Sequence, residues 1–246
     1  MLERLRRCHL AGELRGAEFK LIAFRELSRV GKALSDPRRL ELLELLCQSE
    51  KSVNHVAQQL GVSIATVSHH LQILKASHLA RERRSGRFIH YQASEIGQAA
   101  WKLLADIGGT SIAEVRSAVS QFFEQDWTYE PVGLSELRRK VGLGEILLLD
   151  VRPTEEFLAG HFPGAMSLPL SDLREKVKMI PRDAEVVAYC RGPYCVLAHD
   201  AVQILRQRGI RAYHWRQGVL DWKRFATTAA LTNPSPRRAP KKGVSR

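Results

Sequence analysis

The spacing of apolar residues changes once along this 246-residue chain, and that change limits what it can fold into more than any other feature. From Phe19 to about Glu124 apolar residues recur mostly at helical spacing. From Val132 onward short strand-like apolar runs alternate with helical segments. Between them EQDWTYEPVG loses both periods and carries Pro131 and Gly133, which predicts a linker at 125–131. The expected organisation is a domain at 1–124, a second at 132–226, and a basic tail at 227–246. The tail ends in TNPSPRRAPKKGVSR, which has too little apolar surface to offset its ordering entropy and is expected to be disordered.

No run approaches the roughly 18 consecutive apolar residues of a membrane span, and the first residues lack the apolar core of a signal peptide. A cytoplasmic protein without a membrane partner is expected. Four cysteines, Cys8, Cys47, Cys190 and Cys195, are too few and too unevenly spaced for a disulfide scaffold. They read as core residues or reactive thiols. The formal net charge of +12 is spread along the chain, with 18 basic against 15 acidic residues in 1–130. Bulk charge is therefore a weak pointer to nucleic acid, and local charge must carry that argument.

In the first domain Asp36-Pro37 opens a helix whose Leu40, Leu43, Leu46 and Cys47 can share a face. Ser52 caps VNHVAQQL, which Gly61 terminates, and Ser63 caps IATVSHHLQILKAS, with Val67, Leu71 and Leu74 as its buried stripe. LARERRSGRFIHYQ follows as two strand-like runs joined at Ser85-Gly86. Helix, glycine turn, helix and basic hairpin is the order of a winged helix-turn-helix. Its second helix would present Ser63, Thr66, Ser68, His69, His70 and Gln72 to base edges and phosphates in a major groove. Arg81, Arg83, Arg84 and Arg87 against the single Glu82 would hold the flanking backbone.

The stretches GKALSDPRRLELLELL, VAQQLGVSIATVSHHLQILKASHL and RRSGRFIHYQ resemble the ArsR family of bacterial repressors over about residues 19–124. The resemblance implies a homodimer on a double-stranded DNA operator, with terminal helices packed between protomers. Residues 94–124 would supply one of these through Ile96, Leu103, Leu104, Ile107, Ile112, Val115, Val119 and Phe122, although Gly108-Gly109 argues against one straight helix. The metal-sensing pattern of that family is missing. The stretch LLELLCQSE before the recognition unit holds only Cys47, residues 94–124 hold no histidine, and His69 and His70 project about 100° apart on a helix. No metal site and no cofactor is expected.

In the second domain EILLLDVR, EVVAYC and RAYHW read as strands, with helical segments near 154–160, 171–179 and 196–208. This alternation predicts an open parallel α/β sheet with its reactive site at the strands' carboxyl ends. Cys190 ends one such strand, and RGPYC would wrap backbone N–H groups and a helix N-terminus around it, lowering its pKa. LLLDVRPTEEFLAGHFPGAMSLPL, YCRGPYC and WRQGVLDWK resemble the rhodanese superfamily over about residues 132–226. The resemblance makes Cys190 the sulfur-accepting nucleophile, with Arg191 in its loop. Asp150 and Arg152 would be either organisers of the site or a structural ion pair. Cys195 is either a resolving thiol or a small apolar filler. The sixth residue after Cys190 is Val196 rather than a phosphate-clasping arginine, which argues against phosphatase activity.

Together the resemblances imply a repressor whose operator affinity responds to sulfane sulfur or oxidant at Cys190, with small sulfur species and thiol donors or acceptors as partners. A rhodanese-type sulfurtransferase carrying a DNA-binding domain is the first alternative. A soft-metal sensor holding trivalent arsenic between Cys190 and Cys195 is another.

Overall fold

The computed structural model describes residues 16–123, 127–129 and 133–224. The readings of Cys8 and of the basic tail at 227–246 lie outside the described residues. The chain divides into two compact units, 1–46 with 50–97 and 47–49 with 98–246.

The first unit contains α1 (Gly16–Leu34), α2 (Pro37–Gln48) as far as Leu46, β1 (Lys51–Ser52), α3 (Val53–Leu60), α4 (Ile64–Ala76), β2 (Ala80–Ser85) and β3 (Phe88–Ala93), and it ends in the first turn of α5 (Glu95–Ser111). The starts follow local chemistry. Asp36 Oδ1 accepts the Arg39 N–H at 3.1 Å, Ser52 Oγ that of His55 at 3.2 Å and Ser63 Oγ that of Thr66 at 3.1 Å. Gly61 ends α3 in the left-handed region at φ 64, which costs a glycine nothing sterically. The core gathers Leu43 and Leu46 of α2, Val56 of α3 and Val67, Leu71 and Leu74 of α4. The buried face of α2 is wider than its spacing suggested: Leu42 and Leu45 are buried too, while Leu40 is only half-buried. The sheet order is β1-β3-β2, antiparallel, and the Gly86-Arg87 turn sets Ser85 opposite Phe88. Helix, turn, helix and hairpin make a winged helix-turn-helix.

The second unit holds the rest of α5, α6 (Ala113–Phe122), α7 (Leu134–Gly142), β4 (Leu147–Asp150), α8 (Thr154–Ala159), β5 (Met166–Ser167), α9 (Leu170–Lys176) with a 3-10 turn (Val177–Met179), β6 (Glu185–Tyr189), α10 (Leu197–Gln207) and β7 (Arg211–Trp215). The sheet is parallel, in the order β5-β4-β6-β7. Alternate residues feed two cores. Leu149, Val186 and Ala188 pack with Val202 and Leu205 of α10, while Leu148, Val187 and Tyr189 pack with Phe162 and Trp215. Burial on both faces is why these strands read as unbroken apolar runs. The unit is an α/β domain of the rhodanese-like kind.

Three features differ from the sequence reading. The two-residue β5 and the nine-residue α7 were not foreseen, the first too short to show a period and the second marked only by Leu134, Leu137 and Val141 within a mostly polar stretch. Helix α5 runs through Gly108-Gly109, and the break falls at Ile112, whose φ −98 and ψ 109 are extended. Residues 127–129, read as linker, lie along the sheet edge: Thr128 bridges His214 in parallel and Tyr129 N–H donates to the His214 carbonyl at 2.8 Å.

Gly97, in the first turn of α5, has no room for a side chain, because a Cβ there would overlap the Leu79 carbonyl. Gly97→Ala is expected to lower stability by about 1–3 kcal/mol, the usual cost of overpacking. Gly109→Ala, where an added Cβ meets nothing within 4 Å, should be neutral or stabilise by up to about 1 kcal/mol. Thermal unfolding of both variants checks the contrast.

Candidate cysteine site and nucleic-acid interface

Helix α4 buries Val67, Leu71 and Leu74, so its remaining positions set what it can present outward. Thr66, His69 and Gln72 are exposed, whereas Ser68 and His70 are half-buried. Ser63 and Thr66 are joined at the helix start, their hydroxyl oxygens 2.8 Å apart. The His69 and His70 rings sit 5.8 Å apart and tilted by 55°. Among the described residues no group of three or more His, Cys, Asp or Glu is placed to hold a metal.

The hairpin arginines do not act as one patch, because strand alternation separates them. Arg83 is clasped by the Glu50 carboxylate through Nε at 2.8 Å and Nη2 at 2.5 Å. Arg81 reaches Gln92 at 3.5 Å. Glu82 is taken by Lys75 at 2.5 Å and by the Tyr91 hydroxyl at 3.1 Å. Arg84 stays exposed, and Arg87 lies over the Phe88 ring at 5.3 Å at the hairpin tip. Glu50 and Lys75 were not singled out in the sequence, since each partner is set by pairing across the fold.

In the second unit Cys190 follows β6 on the face covered by α10 and is 2% exposed, and Cys195 is 7% exposed. The loop closes on itself: Cys195 N–H donates to the Gly192 carbonyl at 3.2 Å, and the Cys190 thiol donates to the Cys195 carbonyl at 3.2 Å. Both thiols are free. The expectation that the loop lowers the Cys190 pKa is corrected here. Burial pushes this thiol well above its ordinary value, and hydrogen bonds from the Ala198 and Gly192 backbone only partly oppose it. The neighbouring thiol moves the other way. Cys195 is drawn down to about 7, chiefly by a hydrogen bond from Cys190, with the Arg191 charge assisting. The first thiolate to appear in this pair therefore forms at Cys195.

Arg191 itself is turned away to α8, where Glu156 receives its Nη2 at 2.8 Å and its Nε at 3.0 Å. The Glu156 carboxylate is fully buried, so the pair pins the loop to α8. Two adjacent acids in a helix's first turn read as ordinary dipole complements, which hid Glu156. Asp150 and Arg152 are 0% exposed and paired at 2.6 Å. Asp150 also accepts the Tyr189 hydroxyl at 2.5 Å and the Arg152 N–H at 3.1 Å, and Arg152 donates to the Gly160 carbonyl at 2.8 Å. Tyr189 packs in the core opposite that of Cys190. The pair joins the ends of β4 and β6, its hydrogen bonds running to Tyr189, Gly160 and its own backbone. Gly218, in the closing segment, meets the loop from outside, since a Cβ there would overlap the Arg191 carbonyl.

Residues 36–82 match the bacterial regulatory protein, arsR family, and residues 134–225 match the rhodanese-like domain. The chain is 37% identical over 199 residues to the HTH-type transcriptional regulator Rv0324 of Mycobacterium tuberculosis, covering 80% of this chain and 87% of that protein. A sulfurtransferase of Allochromatium vinosum is 33% identical over 81 residues, covering 32% of this chain and 74% of that one. Among solved structures, the homodimeric winged helix-turn-helix DNA-binding domain of Mb0332 from Mycobacterium bovis is 31% identical, covering 43% of this chain and 95% of that one, with a TM-score of 0.38. A winged helix-turn-helix joined to a rhodanese-like domain defines a two-domain transcriptional regulator. The chain belongs to the ArsR family of transcriptional regulators, in the form that carries a C-terminal rhodanese-like domain.

Alkylation should follow the order of the two thiols. Reaction of Cys195 with iodoacetamide is expected to rise with pH around a midpoint of about 7, ahead of Cys190. In Cys190→Ala the midpoint should climb toward the ordinary thiol value of about 8.5. Mass spectrometry of the modified peptides across pH reads both shifts.

Proposed function

We propose that this ArsR-family regulator is a homodimeric repressor whose operator affinity follows the sulfur state of Cys190 and Cys195. The observation that carries the reading is the buried thiol pair within one six-residue loop, with one member poised near neutral pH. The chemistry needs no partner beyond a polysulfide. The Cys195 thiolate takes the Cys190 proton and later releases it to solvent, and the Cys190 thiolate so formed attacks the terminal sulfur of a polysulfide, which leaves as a chain one sulfur shorter, so that Cys190 becomes a persulfide. Cys195 thiolate then attacks the Cys190 sulfur bonded to the added sulfur. The Cys190–Cys195 disulfide forms and hydrosulfide departs, so two thiols are oxidised and one sulfane sulfur is reduced. An oxidant such as peroxide would reach the same disulfide through a sulfenic acid, with water leaving.

The single chain supports a dimer through its uncovered apolar side chains. Phe19, Leu21, Phe24 and Leu27 of α1 and Ile96 and Leu103 of α5 are each about three-fifths exposed, more than a lone domain leaves to solvent. A second copy of the same helices would cover them with twofold self-complementarity. The exposed start of α4, with Thr66, His69 and Gln72, suits the major groove, and Arg84 and Arg87 suit the phosphates beside it. Arg83 would exchange Glu50 for phosphate. Repeating the operator titration at several salt concentrations should give a slope shallower by about 1 for each of Arg84→Ala and Arg87→Ala.

A second reading is favoured by the likeness to a sulfurtransferase: the loop would turn over sulfur rather than sense it. One experiment separates them. Operator affinity of reduced and polysulfide-treated protein, at fixed salt, is expected to differ by at least about tenfold, equivalent to about 1.4 kcal/mol of coupling. In Cys190→Ser the two should coincide. If polysulfide leaves wild-type affinity unchanged while the protein passes sulfur catalytically to a thiol, the sulfurtransferase reading replaces the sensor.

A further inference from the structure

Between the two cysteines stands Tyr194, and its side chain leaves the loop for α5. Its ring meets Trp101 edge-on at 6.2 Å and 78°, and its hydroxyl donates to the Ala105 carbonyl at 3.0 Å. The same hydroxyl explains Gly108. A Cβ at that position would overlap the Tyr194 oxygen, though it would lie an ordinary 3.5 Å from the ring carbon bearing that oxygen. Gly109 beside it has no such neighbour. A glycine within a helix weakens it relative to alanine, and at Gly108, in the last turn of α5, the tyrosine hydroxyl is the atom that a side chain would overlap.

The closing segment ties α5 to the same loop a second time. Lys102 pairs with Asp221 at 3.0 Å, Asp221 accepts the Gly218 N–H at 2.9 Å, and Gly218 lies against the Arg191 carbonyl. Helix α5 is thus held at both sides of the cysteine loop. The boundary between the two units falls inside this helix, after Gly97.

We propose that Tyr194 is a positioning residue that carries the state of the Cys190–Cys195 pair into helix α5. The proposal rests on the sulfur-responsive reading above for its biological use. It also stands as a statement about the loop and helix alone. A disulfide demands a fixed sulfur geometry with the two Cβ atoms about 4 Å apart. Bringing Cys195 into that geometry turns the backbone at Tyr194, its immediate neighbour, and the hydroxyl is pulled from Ala105 and Gly108. No covalent step is asked of the tyrosine itself.

The test uses the full-length chain, reduced or oxidised across the cysteine pair with polysulfide or with diamide, and mass spectrometry to confirm the disulfide. Amide exchange is then followed over residues 101–109. In wild type, oxidation is expected to speed exchange there by about fivefold, the scale of one lost hydrogen bond. In Tyr194→Phe, oxidation should leave exchange unchanged although the disulfide forms equally well. Gly108→Ala should raise exchange even when reduced, whereas adding it to Tyr194→Phe should raise exchange no further than Tyr194→Phe alone, because the overlapping oxygen is gone. If Gly108→Ala folds poorly, the Tyr194→Phe comparison decides alone.

The proposal is overturned if oxidation leaves wild-type α5 silent, if Tyr194→Phe responds as wild type does, or if neither reagent makes a Cys190–Cys195 bond. Operator affinity measured on the same samples separates the two ideas. A responsive α5 with constant affinity upholds the tyrosine link and removes the sensor reading. A changed affinity with a silent α5 does the reverse.

Discussion

The second unit depends on one buried carboxylate. Asp150, with no exposure, receives the Tyr189 hydroxyl from β6 together with the side chain and backbone N–H of Arg152. Removing the Arg152 side chain would leave an unpaired charge in a place without water, at a cost of several kcal/mol. The ends of β4 and β6 are therefore locked in one register, with Asp150 opposite Tyr189. Because side chains alternate along a strand, fixing Tyr189 toward one core sends Cys190 to the other. The buried pair thereby fixes the strand end from which Cys190 emerges.

The loop beyond Cys190 is constrained in turn by contacts that are themselves buried. Arg191 is held by Glu156, Gly218 admits the loop backbone from outside, and α10 begins right after Cys195 and Val196. A thiol so enclosed pays for desolvation on ionising, which explains why the helix N-terminus does not make Cys190 the more acidic sulfur. The hydrogen bond and cation that remain act instead on Cys195. One thiol held neutral and one close to ionisation form a pair whose titrations are linked.

The first unit follows a different logic, set by short-range signals. Side-chain caps at Asp36, Ser52 and Ser63 and the left-handed Gly61 place the helices within a residue of where the sequence puts them. The polar face of α4 then follows from which three residues it buries. What could not be foreseen was charge pairing on the wing. Glu50 precedes Arg83 by 33 residues and becomes its partner only because β1 pairs with β3, and β3 with β2.

By itself the sequence determined whatever depends on neighbours a few residues apart: the helix caps, the hairpin turn, the two periodicities, the strand ending at Cys190, and the two family resemblances. The tertiary structure decided what depends on burial and on distant partners. It brought Arg191 to Glu156, Asp150 to Tyr189 and Tyr194 to Ala105, and it reversed the order of the two thiol pKa values. The reason is common to all of these. Capping and periodicity are properties of chain geometry over one or two turns, whereas desolvation and ion pairing are set by which surfaces meet when the sheet and helices close.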